Sequence, residues 1–430
     1  MRRLTGGLFF IWAVTFLFSL PATFDFFFWR RQIILLTGIL SFGYMSVAML
    51  LAIRPAWLEK RLNGLDKMYR LHKYLGIGSL VALSAHWLAF KAGKWLTQAG
   101  VVQRPFRPEA PGINWHAIAN DIGEWAFYAF IVFALVSLLK VVSYKRFVIL
   151  HKLAGVIFIA GAVHGAMSLK YLMNTMLYDI AIIAMALVGC YCALLSLTSQ
   201  IGSNKKVNGT VTHVERYADN AVHFQITVNQ PMKYQPGQFA YLNFHDGESP
   251  HPFTVVNYDK QQKIIEIAVK ALGDYTAKLV NHLQTGQQVE VEGGYGKFLL
   301  SDKKKQVWVG AGIGVTPFIA WLESMASGSN AQTSAEKIIF FYCARNRQEA
   351  FFIERLQRLT RRISHVELRV LLADDGELLT PEEIIHLMDN CTDYSVSFCG
   401  PELFAEHLKK GLSASGWCQS QFHHEIFSMR

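Results

Sequence analysis

No Cys-x-x-Cys pair occurs in the sequence. Its six cysteines, Cys190, Cys192, Cys343, Cys391, Cys399 and Cys418, have the spacing of neither a zinc site nor an iron–sulfur cluster, so no disulfide framework or protein-bound cluster is expected. Electrons, if the chain moves any, need another carrier. Acidic residues are also short, with 32 Asp and Glu against 42 Lys and Arg, a net charge of +10. The excess does not read as a nucleic-acid surface, because the positive charges gather in short connections between apolar runs. There is no internal repeat and no low-complexity tract. No small-residue cleavage site follows the first apolar run, where FDFFFWRR stands instead, so that run is expected to be a spanning helix and not a leader.

What the chain does have is apolar content, 52% of its 430 residues. Six apolar stretches fill its first half, at 8–28, 33–53, 69–90, 122–139, 147–169 and 176–197, each near the roughly 20 residues a helix needs to cross a bilayer. Counting Lys and Arg by loop puts the larger set (Arg2, Arg3, Arg54 to Arg70, Lys140 to Arg146, Lys205, Lys206) on one side. That side is expected to be the cytoplasm, and the Arg30-Arg31 pair runs against the assignment. After residue 205, VNGTVTHVERYADNAVHFQITVNQ alternates like antiparallel strands. From about residue 303, strands (VWVGAG, KIIFFYCA, VELRVLLA, YSVSFCG) alternate with helices (FIAWLESMA, EAFFIERLQRL), the pattern of a parallel nucleotide-binding sheet. The expected architecture is an all-α six-helix transmembrane bundle (1–200), an antiparallel β-barrel (205–302) and an α/β Rossmann-like domain (303–430).

Histidines stand out in the apolar half. His72 and His86 lie fourteen steps apart on the third stretch, and His151 and His164 thirteen apart on the fifth. A polar side chain in a membrane helix needs a partner. The third and fifth helices cross in the same direction, so His72 meets His151 near the inner face and His86 meets His164 near the outer one. At 1.5 Å per residue the two levels are roughly 20 Å apart, which suits two stacked haems each held between neutral imidazoles. A bland reading stands beside this one: single intramembrane histidines commonly bond a neighbouring helix, and HK at a helix end is ordinary interfacial charge. Thirteen steps also swing His164 well round from His151, so the fifth helix must twist, bend or use different rotamers. His116 has no match.

In the second half, PGQF, HPFT (251–254), GDYT (273–276), GAGIGVTPF (310–318) and FCGP (398–401) occur in that order. The set resembles the ferredoxin-NADP reductase-like flavoproteins, and HPFT after six haem-type helices is similar to the ferric reductase and NADPH oxidase superfamily. The resemblance covers nearly the whole chain. It implies FAD contact by His251, Pro252, Phe253 and Thr254. Gly273 and Thr276 open a helix whose free amides favour a pyrophosphate, with a plain N-capped helix as the alternative. Gly312 and Gly314 let backbone approach a phosphate, and Thr316 and Pro317 suit the first helical turn. The resemblance places Cys399, with Gly400 and Pro401, beside a nicotinamide, a buried structural thiol being the alternative for Cys399, and makes Phe427, with Glu425 nearby, the aromatic that covers the flavin. Arg345 and Arg347 read equally as a 2′-phosphate recognition pair and as solvated loop charges, and NADPH is expected as donor with NADH as the alternative.

These readings combine into one expectation: an integral protein, in a bacterial inner membrane, that carries electrons from NAD(P)H through FAD and two haem b groups to a ferric chelate or molecular oxygen outside. Flavin is required because nicotinamide gives two electrons and haem takes one. The alternatives are a redox subunit serving a periplasmic partner protein, and a reductase on a non-haem membrane anchor.

Overall fold

The computed structural model describes residues 1–21, 24–62, 64–103, 112–139, 144–170, 174–217, 220–328 and 333–424, with side chains from Arg146 in the helix that starts at Tyr144. The chain divides into two units, one of Met1–Leu62 with Lys67–Gly202 and one of Asn63–Asp66 with Ser203–Arg430.

The first unit contains α1 (Arg2–Phe18), α2 (Phe26–Ala52), α3 (Ala56–Leu62), α4 (Leu65–Gln98), α5 (Trp115–Leu138), α6 (Tyr144–Leu169) and α7 (Met176–Leu197). Five of these, α2 and α4 to α7, are long and apolar enough to cross a membrane. The expected first span, 8–28, is not one helix. α1 stops at Phe18, where the Ser19 amide turns back to the Phe16 carbonyl. The chain restarts where Asp25 accepts from the Phe28 amide at 2.7 Å, so the Phe-rich run is the capped start of α2. At 17 residues α1 is about 25 Å long. Asn114 and Thr175 cap α5 and α7 in the same manner.

Large apolar side chains face outward on the later helices, among them Trp125, Val132, Leu153, Val156, Leu187 and Leu194, as lipid contact requires. Inside, small residues admit bulky ones. A Cβ on Gly189 would lie 2.2 Å from Phe158 Cζ, and one on Gly43 2.6 Å from Leu8 Cδ1, the close packing that holds membrane helices together. Arg30 is not a loop charge: from α2 it donates to the carbonyls of Ala89 and Phe90 on α4 at 2.9 and 2.8 Å, in a groove that a Cβ on Gly93 would fill.

The second unit opens with β1 (Lys206–Tyr217), β2 (Ala221–Val228), β3 (Phe239–Asn243), β4 (His251–Asp259), β5 (Ile264–Lys270) and β6 (Gln288–Tyr295), with α8 (Asp274–His282) before the last. They close into an antiparallel barrel in the order β1-β2-β5-β4-β3-β6, filled by Phe224, Ile226, Leu242, Val255, Ile267 and Val291. There follow β7 (Lys305–Ala311), α9 (Thr316–Ala326), β8 (Lys337–Ala344), α10 (Ile353–Thr360), β9 (Val366–Leu372), α11 (Pro381–Leu387), β10 (Ser395–Cys399), α12 (Glu402–Ala414) and β11 (Phe422–His424). These strands form a parallel sheet in the order β11-β10-β7-β8-β9, with an apolar core on each face. The order reverses between β7 and β10, the position at which open α/β sheets bind nucleotides.

Candidate functional site

The four membrane histidines form two facing pairs. The rings of His72 on α4 and His151 on α6 have centroids 5.9 Å apart, and those of His86 and His164 are 6.4 Å apart. With metal–imidazole bonds of about 2 Å on each side, two imidazoles sharing one ion have centroids roughly 6 Å apart, so the spacing of both pairs fits a shared metal ion. Their tautomers fit as well. His72, His86 and His164 place Nδ1 at 3.0, 3.1 and 2.7 Å from the carbonyls of Ala48, Ile34 and Ala119. A carbonyl only accepts, so Nδ1 carries the proton and Nε2 keeps its lone pair, the arrangement that orients a metal-binding histidine. His151 is held differently, between the rings of Phe133 and Phe147 at 5.0 and 4.8 Å. Among the described residues no group of three or more His, Cys, Asp or Glu stands as a metal cage; each pair brings two imidazoles together.

Thirteen steps are accommodated by the neighbour of α6. A Cβ on Gly123 of α5 would lie 2.5 Å from His164 Nδ1, so the missing side chain lets that ring in. The His86 and His164 pair opens on an apolar cavity lined by Phe90, Phe127, Phe130 and Phe158. His116, on α5, has Asn120 Nδ2 3.2 Å from its Nδ1.

In the second unit HPFT forms the start of β4, with Pro252 opposite Tyr241 and Phe253 opposite Ala240 on β3. Phe253 and Thr254 are buried, at 9% and 7% exposure. His251 stacks on Tyr275 of α8, ring centroids 3.8 Å apart at 12°, and burial pushes the Tyr275 phenol up and the His251 ring below its ordinary value. Gly273 precedes α8, and Thr276 Oγ1 accepts from the amides of Leu272 and Gly273 at 2.9 and 3.0 Å, the N-capped arrangement. Tyr275 went unselected in the sequence although it sits inside GDYT.

The glycine turn and FCGP meet. A Cβ on Gly314 would lie 2.3 Å from the Cys399 carbonyl oxygen, and one on Gly400 2.6 Å from Ala311 Cβ. Gly312 takes φ +58°, which only glycine adopts freely. Thr316 Oγ1 donates to Ile313 O at 3.1 Å, and Pro317 is in the first turn of α9. Cys399 is fully buried, and Pro401 caps α12. These residues therefore cluster at the C-terminal ends of β7 and β10, whereas Arg345 follows β8 and Arg347 lines a cleft with Arg216, Tyr217 and Phe351. Glu425 and Phe427 lie outside the described residues.

One cluster carried no sequence signal. Arg355 on α10 donates to Glu323 of α9 and to Glu266 of β5, each at 2.8 Å, and Lys270 of β5 reaches Glu349 at 2.7 Å. Burial alone raises the Glu266 carboxyl, but the His223 ring 3.4 Å away and the Arg355 charge outweigh it and hold the group down at about 2. The barrel and the parallel sheet are thus clamped by ions in one well-shielded spot.

Comparison with known proteins agrees with both halves. Residues 37–162 match the family model of the ferric reductase like transmembrane component, and residues 206–308 that of a FAD-binding domain. The reductase component of propane 2-monooxygenase from Mycolicibacterium goodii is 23% identical over 239 residues, 52% of this chain and 68% of that protein. The stachydrine N-demethylase reductase subunit of Rhizobium meliloti is 24% identical over 223 residues, 48% of this chain and 61% of that one. Against two further propane 2-monooxygenase reductase components the chain spans 64% and 51% of their length. Among solved structures, flavohemoglobin from Malassezia yamatoensis, with FAD and heme bound, covers 93% of this chain and 98% of its own at 14% identity and a TM-score of 0.49. The Amycolatopsis cytochrome P450 reductase GcoB covers 52% of this chain and 69% of its own at 18% identity and a TM-score of 0.46. A ferric reductase like transmembrane segment followed by a FAD-binding segment is the layout of a ferric reductase or NADPH oxidase-type fusion, a membrane oxidoreductase with a ferredoxin-NADP reductase-like FAD module.

Proposed function

We propose that this protein carries electrons from NAD(P)H on the cytoplasmic side, by way of FAD and two b-type haems, across a bacterial inner membrane to a ferric chelate or to molecular oxygen, giving superoxide. The observation that carries this reading is the two opposed imidazole pairs, with Nδ1 of three of the four rings bound to a helix carbonyl. When bound, FAD divides the two electrons of a hydride and the haem irons pass them singly.

The chain's own residues hold and orient these groups. His72 with His151, and His86 with His164, would hold the two haem irons. Backbone of HPFT, with the Thr254 hydroxyl, contacts the flavin, and the α8 N-terminus at Gly273 and Thr276 receives the FAD pyrophosphate. Gly312, Gly314, Thr316 and Pro317 receive the nucleotide phosphates. Cys399, Gly400 and Pro401 position the nicotinamide against the flavin, with Phe427 and Glu425 covering that face. Arg30 is tied into the α4 groove, which gives one of the two charges that run against a cytoplasmic N-terminus a structural role. A second reading, delivery of electrons to a partner protein outside, is favoured by the relatives, which are named as reductase components.

The test is the full chain purified in detergent and loaded with FAD and haem. A Soret band with bis-imidazole features, weakened by His86→Ala or His164→Ala, is expected, together with NAD(P)H oxidation. Dye reduction abolished by superoxide dismutase assigns oxygen as acceptor, and Fe(II) formation without oxygen assigns a ferric chelate. Well-folded flavoprotein that takes up no haem overturns the reading.

A further inference from the structure

Nicotinamide cofactors of the two kinds differ only at the adenosine ribose, where one has a 2′-hydroxyl and the other a 2′-phosphate. In open parallel sheets a carboxylate accepts from the hydroxyl, whereas an arginine receives the phosphate. This chain presents both devices, in contact with each other. β8 ends at Ala344 and β9 at Leu372, and the loops that follow are tied together. The Asp374 amide donates to the Arg345 carbonyl at 2.8 Å. The Asp374 carboxylate lies 3.5 Å from Arg345 Nε and accepts from Asn346 Nδ2 at 3.1 Å.

The pair is open to solvent, with 73% of the Arg345 side chain and 51% of the Asp374 side chain exposed, on the edge of the sheet where the strands end. Arg347, the other cation expected to serve a phosphate, lines a cleft that includes neither Arg345 nor Asp374. Arg345 therefore meets an incoming 2′-phosphate already paired, beside a carboxylate that repels it. A phosphate monoester brings about −1.5 to −2 charge near neutral pH, whereas a ribose hydroxyl brings a proton that Asp374 can accept.

We propose that Asp374 is a specificity-determining residue that selects NADH over NADPH, by accepting from the ribose 2′-hydroxyl and by withholding Arg345 from a 2′-phosphate. The inference rests on the reading of this sheet as the nicotinamide-nucleotide site. The experiment is oxidation of NADH and of NADPH by the FAD-loaded full chain with ferricyanide as electron acceptor, compared by kcat/KM, with anaerobic bleaching of the flavin as the control. The parent chain prefers NADH. Asp374→Asn raises kcat/KM for NADPH about tenfold, chiefly through KM, and lowers it for NADH. Adding Arg345→Ala to Asp374→Asn cancels the NADPH gain, and flavin content stays at the parent value throughout. A parent chain that prefers NADPH, or an Asp374→Asn ratio within about twofold of the parent, overturns the proposal alone. A parent flavin that neither nucleotide bleaches overturns the reading of the sheet and the proposal with it.

Discussion

A methyl group at position 123 would lie 2.5 Å from His164 Nδ1, closer than non-bonded atoms approach, so Gly123→Ala must displace either the ring or α5. Under the proposed haem assignment the expected outcome is loss of the outer haem alone: pyridine haemochrome content of the variant falls to about half the parent value, and the His72 and His151 signature remains. Gly314→Ala meets an immovable neighbour, the Cys399 carbonyl at 2.3 Å. It should cost at least about 1–3 kcal/mol, read as a lowered temperature of flavin release with haem content unchanged. The histidines themselves were legible in the sequence, because imidazole in an apolar run is conspicuous and the pairs match in depth. Gly123 was not, since it serves a residue on another helix and spacing along one helix says nothing about its neighbour. Tyr275 was hidden for a similar reason: its stacking on His251 joins two segments that only the barrel brings together.

Among the elements, β5, α9 and α10 are joined through Glu266, Glu323 and Arg355. The Glu266 carboxyl is held down at about 2 from 4.5, so its contribution is fully present above about pH 4.5 and is lost as pH falls toward 2. The shift corresponds to about 3 kcal/mol. Thermal release of flavin from parent and Glu266→Gln chains should therefore differ most at neutral pH, and the difference should close between pH 4.5 and 2. Alternation of strand and helix announced the parallel sheet, and period-two runs announced the barrel, because those patterns follow from which faces are buried. The boundary between α1 and α2 escaped hydropathy because Ser19, Pro21 and the Asp25 cap interrupt a stretch whose flanks are uniformly apolar. Ionic clamps escape altogether, since Arg355 and Glu323 look like ordinary solvated charges until the helices are packed.

At the scale of the whole molecule, the proposed orientation gives the second unit to the cytoplasm. Cys418 in that unit is exposed, and its thiol is lowered by hydrogen bonds from the Ser420 side chain and backbone, which favours reaction. A membrane-impermeant maleimide should label it in inverted vesicles and leave it unlabelled in right-side-out ones; the opposite pattern reverses the topology. Within the first unit, α2 bears no ligand yet supplies a carbonyl to each histidine of α4, Ile34 to His86 and Ala48 to His72. The two carbonyls are separated by the same fourteen positions as the two rings, so α2 works as a ruler laid antiparallel to the helix it measures. A single residue inserted between positions 34 and 48 would advance one mark by about 1.5 Å and turn it by about 100°. One ring would stay gripped while the other lost its bond.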